Sequence, residues 1–211
     1  MTKTAEECAA LLHVSRETFQ RLQLYVTLLG QWQKRLNLIA EETVGDIWER
    51  HILDSGQILT LLPVLPQKII DMGSGAGLPG MVLAIMGVPE VVLVESDQRK
   101  AIFLEEVAYQ LFGTAAIASK KITVLNQRVE TVEFLKIDIV TSRALAKLDQ
   151  LFNLCRHQWH DQAKAVFLKG KLWKEEIQQA QKHWNFSYQA HPSLTDLQAK
   201  ILIIEKITRI A

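Results

Sequence analysis

From Lys68 onward, short apolar runs rich in β-branched residues alternate with helix-length stretches, and this alternation leaves few architectures open. Strand-like runs fall at 68–72, 91–95, 122–126, 138–142, 164–168, 186–190 and 200–207. Between the first five lie helical stretches at 79–87, 99–112 and 147–157 and a shorter connection at 127–137; a further helix fits 173–184. Strands separated by crossovers of that length pair in parallel and need helices on both faces of the sheet. The last two runs are joined only by a short segment around Pro192, which predicts an antiparallel hairpin at one edge. The expected fold is α/β: seven strands, mostly parallel, ending in an antiparallel hairpin.

What precedes this alternation has a helical period. Ser15 is placed to cap a helix whose apolar positions Phe19, Leu22, Val26, Leu29, Trp32 and Leu36 recur every three or four residues. A second helix is predicted from Asp46 towards Leu62, burying Trp48, Ile52 and Leu59, and Pro63 and Pro66 end it. The expected division is a helical extension over residues 1–66 and a sheet domain over 67–211. A 211-residue chain of 48% hydrophobic composition can bury a substantial core for both.

The chemistry concentrates at Lys68–Gly80, where an apolar strand runs into Gly73, Gly75 and Gly77 before Pro79 opens a helix. Without side chains the backbone can approach a ligand closely, and glycine accepts the positive φ of so sharp a turn. Proline suits the first helical turn, where its missing N–H has no partner to lose. Gly75, Gly77 and Gly80 also satisfy the Gly-x-Gly-x-x-Gly pattern, which alone is weak. The next strand strengthens it by ending in Glu95, 22 positions beyond Gly73. That is close to the spacing at which an acidic side chain meets a ribose hydroxyl pair. An adenosine-type ligand is therefore expected. The form Asp71-x-Gly73-x-Gly75-x-Gly77 resembles S-adenosylmethionine methyltransferases more than dinucleotide enzymes, because Asp71 at the strand end suits a cationic methionine moiety rather than a pyrophosphate. A nicotinamide-dependent oxidoreductase, or a non-catalytic RNA-binding module that senses the cofactor, are the alternatives.

Net charge is +1, so the chain carries no overall polycationic character. The distribution tilts, however, from six basic and eight acidic side chains over residues 1–66 to nine and six over 148–211. Cys8 and Cys155 have no metal or redox spacing and fit a reducing compartment. His157 and His160 lack the further ligands a metal site needs, and no metal is expected. The first residues lack the pattern of a signal peptide, and the longest apolar stretch, Leu78–Pro89, is too short and too broken to span a bilayer. The expectation is a soluble cytoplasmic protein without membrane contact; no obligate protein partner is readable.

Several separate stretches resemble the bacterial small-subunit ribosomal RNA guanine-N7 methyltransferases, the glucose-inhibited division protein B family. They are Trp32 with Asn37-Leu38, Arg50-His51-Ile52-Leu53-Asp54-Ser55, Asp71 to Gly80, Glu95-Ser96 with Lys100 and Phe103-Leu104, Arg128-Val129-Glu130, Ser142-Arg143-Ala144 and Lys169-Gly170. The Arg-His-Ile-Leu-Asp-Ser and Gly-Leu-Pro-Gly segments, in this order, are the specific ones. The resemblance implies a Rossmann-like methyltransferase sheet with an N-terminal helical extension. It also implies S-adenosylmethionine-dependent N7-methylation of a guanine in 16S rRNA, guanine 527 in the 530 loop, with the rRNA or a small-subunit assembly particle as substrate. The resemblance places cofactor contacts at Gly73, Leu78, Val129, Glu130 and Arg143, with Glu95 holding the ribose, and the reading of the glycine turn adds Asp71, Gly75 and Gly77. Gln198-Ala199-Lys200 stands where members often carry a more basic stretch.

Arg128, Arg143 and Lys169 each lie at or just past the carboxyl end of an expected strand, the edge where open α/β sheets place ligands. They suit RNA phosphate or the cofactor carboxylate. Arg128, Lys169 and Lys200 are assigned to RNA, and Arg143 and Lys169 are the candidates for positioning the reactants. Glu130 suits the adenine amino group or a pair with Arg128. His51 and Asp54, three apart on one helix, either close over the cofactor site or stabilise only their own helix. Trp173, beside Lys169, Lys171 and Lys174, is a core residue or a stacking platform for a base. No general base is expected, because N7 of guanine carries a free in-plane lone pair.

Overall fold

The computed structural model describes residues 2–119, 121–133, 136–156 and 163–210. The extension contains α1 (Ala5–Leu11), α2 (Arg16–Gln33), a 3₁₀ segment at Glu41–Asp46, and a π-helical turn at Trp48–Leu53 that runs into α3 (Asp54–Thr60). The Ser15 side chain accepts the Thr18 N–H and starts α2 as expected. The second helix is not the uniform one its spacing suggested. It changes pitch twice, and its widened turn carries His51.

The sheet comprises β1 (Lys68–Met72), β2 (Glu90–Val94), β3 (Ile122–Leu125), β4 (Ile139–Arg143), β5 (Lys164–Lys169), β6 (Trp184–Pro192) and β7 (Lys200–Arg209). Their order is β3-β2-β1-β4-β5-β7-β6, the first five parallel and β7 antiparallel to both β5 and β6. The crossovers carry α4 (Gly80–Ile85), α5 (Gln98–Ala118), a 3₁₀ turn at Val129–Thr131, and α6 (Leu148–Cys155), and α7 (Trp173–Ala180) leads into the hairpin. The helix expected over 99–112 runs further, to Ala118, across a kink at Gly113, which leaves the helical region with φ 71° and ψ 176°. His157 and His160 lie outside the described residues.

Alternate residues of the strands enter two cores. Ile69, Val91, Leu93, Ile139, Val166 and Ile203 face one side, where they share a single apolar cluster with Leu22, Tyr25, Ile52 and Ile58 of the extension. Ile70, Met72, Val94, Val140, Phe167 and Ile204 face the other, under α6, α7 and the edge-to-face pair Phe152–Trp184. Each fully buried aliphatic side chain contributes about 1.5–3 kcal/mol. The extension thus joins α4 and α5 in one of the two layers that cover the sheet. Strand order reverses between β1 and β4, which opens a crevice at their carboxyl ends.

Candidate functional site

At that crevice the chain leaves β1 through Gly73, Gly75 and Gly77, all at positive φ. Four bonds fix the loop. Ser74 N–H donates to the Val94 carbonyl (2.9 Å), and Gly75 N–H to Glu95 Oε2 (2.8 Å). Gly80 N–H donates to Asp71 Oδ2 (3.0 Å), and the Tyr25 hydroxyl of α2 to the Ala76 carbonyl (2.6 Å). Gly75 is required by its φ of +56° and by the space above it: a Cβ there would meet no protein atom closer than 3.9 Å. Gly77 serves packing instead, since a Cβ would lie 2.9 Å from Leu104 and Met81.

The loop borders a cavity of about 750 Å³, a volume typical of sites for small organic ligands. Of the cofactor residues assigned from sequence, Gly73, Gly75, Leu78, Glu95, Val129, Glu130 and Arg143 line it. Two do not. Gly77 faces the core, and Asp71 is fully buried beneath the loop, where it holds the start of α4. Burial pushes the Asp71 carboxyl up to about 7, and among the described residues its Oδ1 has no hydrogen-bond partner. Its place is that of a brace under the loop, not of a group on the cavity wall. Glu95 joins loop to β2 by accepting from Gly75 N–H and, through Oε1, from Asp97 N–H at 2.7 Å. Each carboxylate oxygen keeps lone-pair capacity for a hydroxyl.

The opposite wall is built from side chains. Arg143, at the end of β4, donates through Nη2 to His51 Nδ1 (2.9 Å) and through Nη1 to the Arg50 carbonyl (3.1 Å). Nη1 also stands 3.4 Å from Asp54 Oδ2. His51 Nε2 meets Thr43 Oγ1 at 2.7 Å, and that hydroxyl donates to the Ala40 carbonyl at 2.7 Å. Asp54 Oδ1 accepts from Thr195 Oγ1 (2.9 Å) and Gln57 Nε2 (3.0 Å), and Leu194 N–H donates to Gln57 Oε1 (2.7 Å). The extension, β4 and the β6–β7 connection are thereby tied together. Burial, then the charges of Arg143 and Arg50, hold the His51 pKa down to about 3. His51 and Asp54 therefore do more than support their own helix, because both engage Arg143.

The three cations assigned to RNA occupy different environments. Arg128 is exposed and 3.9 Å from Glu130, so the pairing of these two is present. Lys200 lines the cavity and pairs in register with Lys169 across β5 and β7. Lys169, however, is 8% exposed, and its ammonium is committed to Glu176 (2.7 Å) and to the Ala146 carbonyl (2.8 Å). Its desolvation lowers its pKa. The side chain thus lines the cavity while its ammonium is engaged inside the protein rather than left free for an RNA phosphate. Trp173 packs against the second core with Lys174 above its ring, which favours the core alternative. Sequence inspection missed Tyr25, Thr43, Gln57 and Thr195. Only Tyr25 left a signal, as a polar-tipped residue at helical spacing between Leu22 and Leu29.

The residues present suit the nucleoside end of the expected cofactor: an open glycine cradle, a strand-end carboxylate with free acceptor capacity, and a cavity of matching size. Fold and site together define an S-adenosylmethionine-dependent methyltransferase. The sequence model of the family described as rRNA small subunit methyltransferase G matches residues 18–206. Proteins named ribosomal RNA small subunit methyltransferase G from Paramagnetospirillum magneticum and Rhodospirillum rubrum are 44% and 42% identical to the chain. The alignments cover 97% and 98% of this chain and 96% and 99% of theirs. The chain belongs to the rRNA small subunit methyltransferase G family. Solved structures with the same fold include a ribosomal protein L11 methylase from Lactobacillus delbrueckii (TM-score 0.55, 16% identity, 77% of this chain and 79% of that one). A MtNAS variant in complex with S-adenosylmethionine is another (TM-score 0.55, 13% identity, 96% and 84%).

Proposed function

We propose that the protein methylates N7 of a guanine in 16S ribosomal RNA, within naked rRNA or a small-subunit assembly particle, in the cytoplasm. Residues 67–211 then form the methyltransferase domain and residues 1–66 its helical extension. Among the described residues, no helix is long and apolar enough to cross a membrane. The observation that supports this reading most is that one cavity joins the Gly75–Glu95 junction to a rim of cations, Arg50, Lys100, Arg128, Arg143 and Lys200. The first suits a nucleoside and the second an RNA backbone.

S-adenosylmethionine, when bound, supplies a methyl group on a positively charged sulfur. Gly73, Gly75 and Leu78 would give it a close-fitting backbone, Glu95 would accept from its ribose, and Val129 and Glu130 would border its base. Arg143 stands on the facing wall, where it can hold an oxyanion. The chain needs to take no proton from guanine N7, and His51, whose Nδ1 lone pair receives Arg143 Nη2, offers no free base for the purpose. What the residues contribute is placement, which can supply roughly 7–11 kcal/mol. N7 faces a groove of A-form RNA too narrow for side chains, so the target guanine is one in a loop or splayed from its stack.

The direct test maps N7-methylguanine, by chemical cleavage and mass spectrometry, in ribosomal RNA from cells with and without this gene. Loss of one such site with the gene is expected, and identical maps would overturn the proposal. The single-turnover rate at saturating RNA and cofactor is expected to stay flat across the range where an ordinary histidine titrates. A bell-shaped profile removed by His51→Ala would point to a different target atom.

A further inference from the structure

His51 is buried, conspicuous in sequence, and unused by any proton-transfer step. The geometry points to His51 as a positioning residue that sets the Arg143 guanidinium as a fixed fork for an oxyanion in the cavity. The hydrogen-bond directions leave His51 one state. The Thr43 hydroxyl donates its only proton to the Ala40 carbonyl, so towards His51 it can only accept. Nε2 therefore carries the ring hydrogen, and Nδ1 has the lone pair that receives Arg143 Nη2. An arginine has only donors, so the other tautomer would set N–H against N–H.

The opposite edge of the guanidinium is held by the Arg50 carbonyl and Asp54 Oδ2. Three of its five N–H groups are thus used, and Nε–H and one hydrogen on Nη2 have no protein partner among the described residues. Arg143 is only 18% exposed and lines the cavity. Two spare donors on adjacent nitrogens of a planar group match the two oxygens of a carboxylate or phosphate. The charged groups around His51 are Arg143 and Arg50, with Asp54 on the far side of Arg143. A protonated His51 would repel the fork it holds.

This inference rests on the proposed function for the identity of the ligands, which offer two oxyanions: the carboxylate of the cofactor and an RNA phosphate. Calorimetry with S-adenosylhomocysteine and with methylthioadenosine, which lacks the carboxylate, separates them. His51→Leu and Arg143→Ala are each expected to weaken S-adenosylhomocysteine about 10- to 100-fold, the range for a lost hydrogen bond to a charged group. Methylthioadenosine should bind unchanged. The double variant should lose no more than Arg143→Ala alone, and His51→Asn, whose amide oxygen can accept from Arg143, should recover most of the affinity. If S-adenosylhomocysteine is unaffected while the log-salt slope of RNA binding falls by about 0.7–0.9, the oxyanion is phosphate and the positioning role stands.

Equal losses on both nucleosides, additive losses in the double variant, or no change in any ligand would overturn the role. Should His51→Leu fail to fold, nitrogen-15 NMR of the unmodified protein decides. The Nε2–H tautomer is expected, shifted towards a mixture by Thr43→Val, and an Nδ1–H ring would refute the assignment. Wild-type protein that binds neither nucleoside nor RNA would remove the proposed function, yet leave the tautomer to be read.

Discussion

The two walls of the cavity are made of different material. On one, the glycine loop and Glu95 present backbone N–H groups and one carboxylate, and the partners of the Gly75–Glu95 bond lie 20 residues apart. On the other, Thr43, His51, Asp54, Arg143 and Thr195 present side chains, and Arg143 is 92 residues from His51. A wall of main chain depends on conformations that few residues can adopt. A wall of side chains depends on partners that only the finished fold brings together. The first should fail abruptly at single glycines, and the second should respond as a coupled unit.

The sharpest break is expected from Gly75→Val. A β-branched residue at φ +56° incurs at least about 1–2 kcal/mol of backbone strain, and its side chain fills space the ligand needs. Calorimetry should show no heat of S-adenosylhomocysteine binding, with the fold intact by circular dichroism. Near-normal affinity would remove the loop from the site. Next in size is Lys169→Ala, which strands the part-buried carboxylate of Glu176 and should cost about 3–5 kcal/mol in chemical denaturation. Because its charge is used internally, the salt slope of RNA binding should not move. Arg128→Ala should do the converse, lowering that slope by about 0.7–0.9 with stability unchanged. A Lys169 variant of native stability and reduced slope would return that lysine to the RNA.

Glu95→Ala should weaken S-adenosylhomocysteine by about 1.5–3 kcal/mol, the worth of hydrogen bonds to a charged group. Unchanged affinity would leave Glu95 as a loop tether only. A pH-dependent effect concerns Asp71. Its folded pKa, about 7, lies above the unfolded carboxylate value near 3.9, so the folded state holds a proton that the unfolded state releases between them. The stability it contributes is complete below about pH 4 and declines as pH rises towards 7, by a few kcal/mol at most. Asp71→Asn keeps an acceptor for Gly80 N–H and should flatten that decline in denaturation curves of the ligand-free protein. A slope unchanged by the substitution would show that Asp71 is not the group responsible.

The same contrast explains what could be read in advance. The mostly parallel strands and the terminal hairpin follow from alternation, and the glycine loop with Glu95 follows from spacing, because both are local in the chain. The position of Asp71 was not legible for a physical reason: a strand-end carboxylate can face the ligand or turn beneath the loop, and Gly80 N–H draws it down. The same holds for the ammonium of Lys169, which Glu176 meets from the following helix. Thr43 and Thr195 are unremarkable residues in sequence, and only the π-helical turn and the β6–β7 connection give them a role. The pitch of that turn is set by tertiary packing, and apolar periodicity does not report it.

The bond from Asp54 to Thr195 also has a consequence in time. It closes a span of 141 residues, among the most distant contacts in the chain, and contacts of such separation form late because the entropy of closing the loop must be met first. The glycine loop and Glu95 can come together as soon as β1 pairs with β2. The Thr195 contact to the Arg143 wall needs the terminal hairpin docked on β5 as well. By loop-closure entropy alone, the glycine-loop wall closes at a smaller cost than the full side-chain wall, which spans the chain from the first third to the last hairpin.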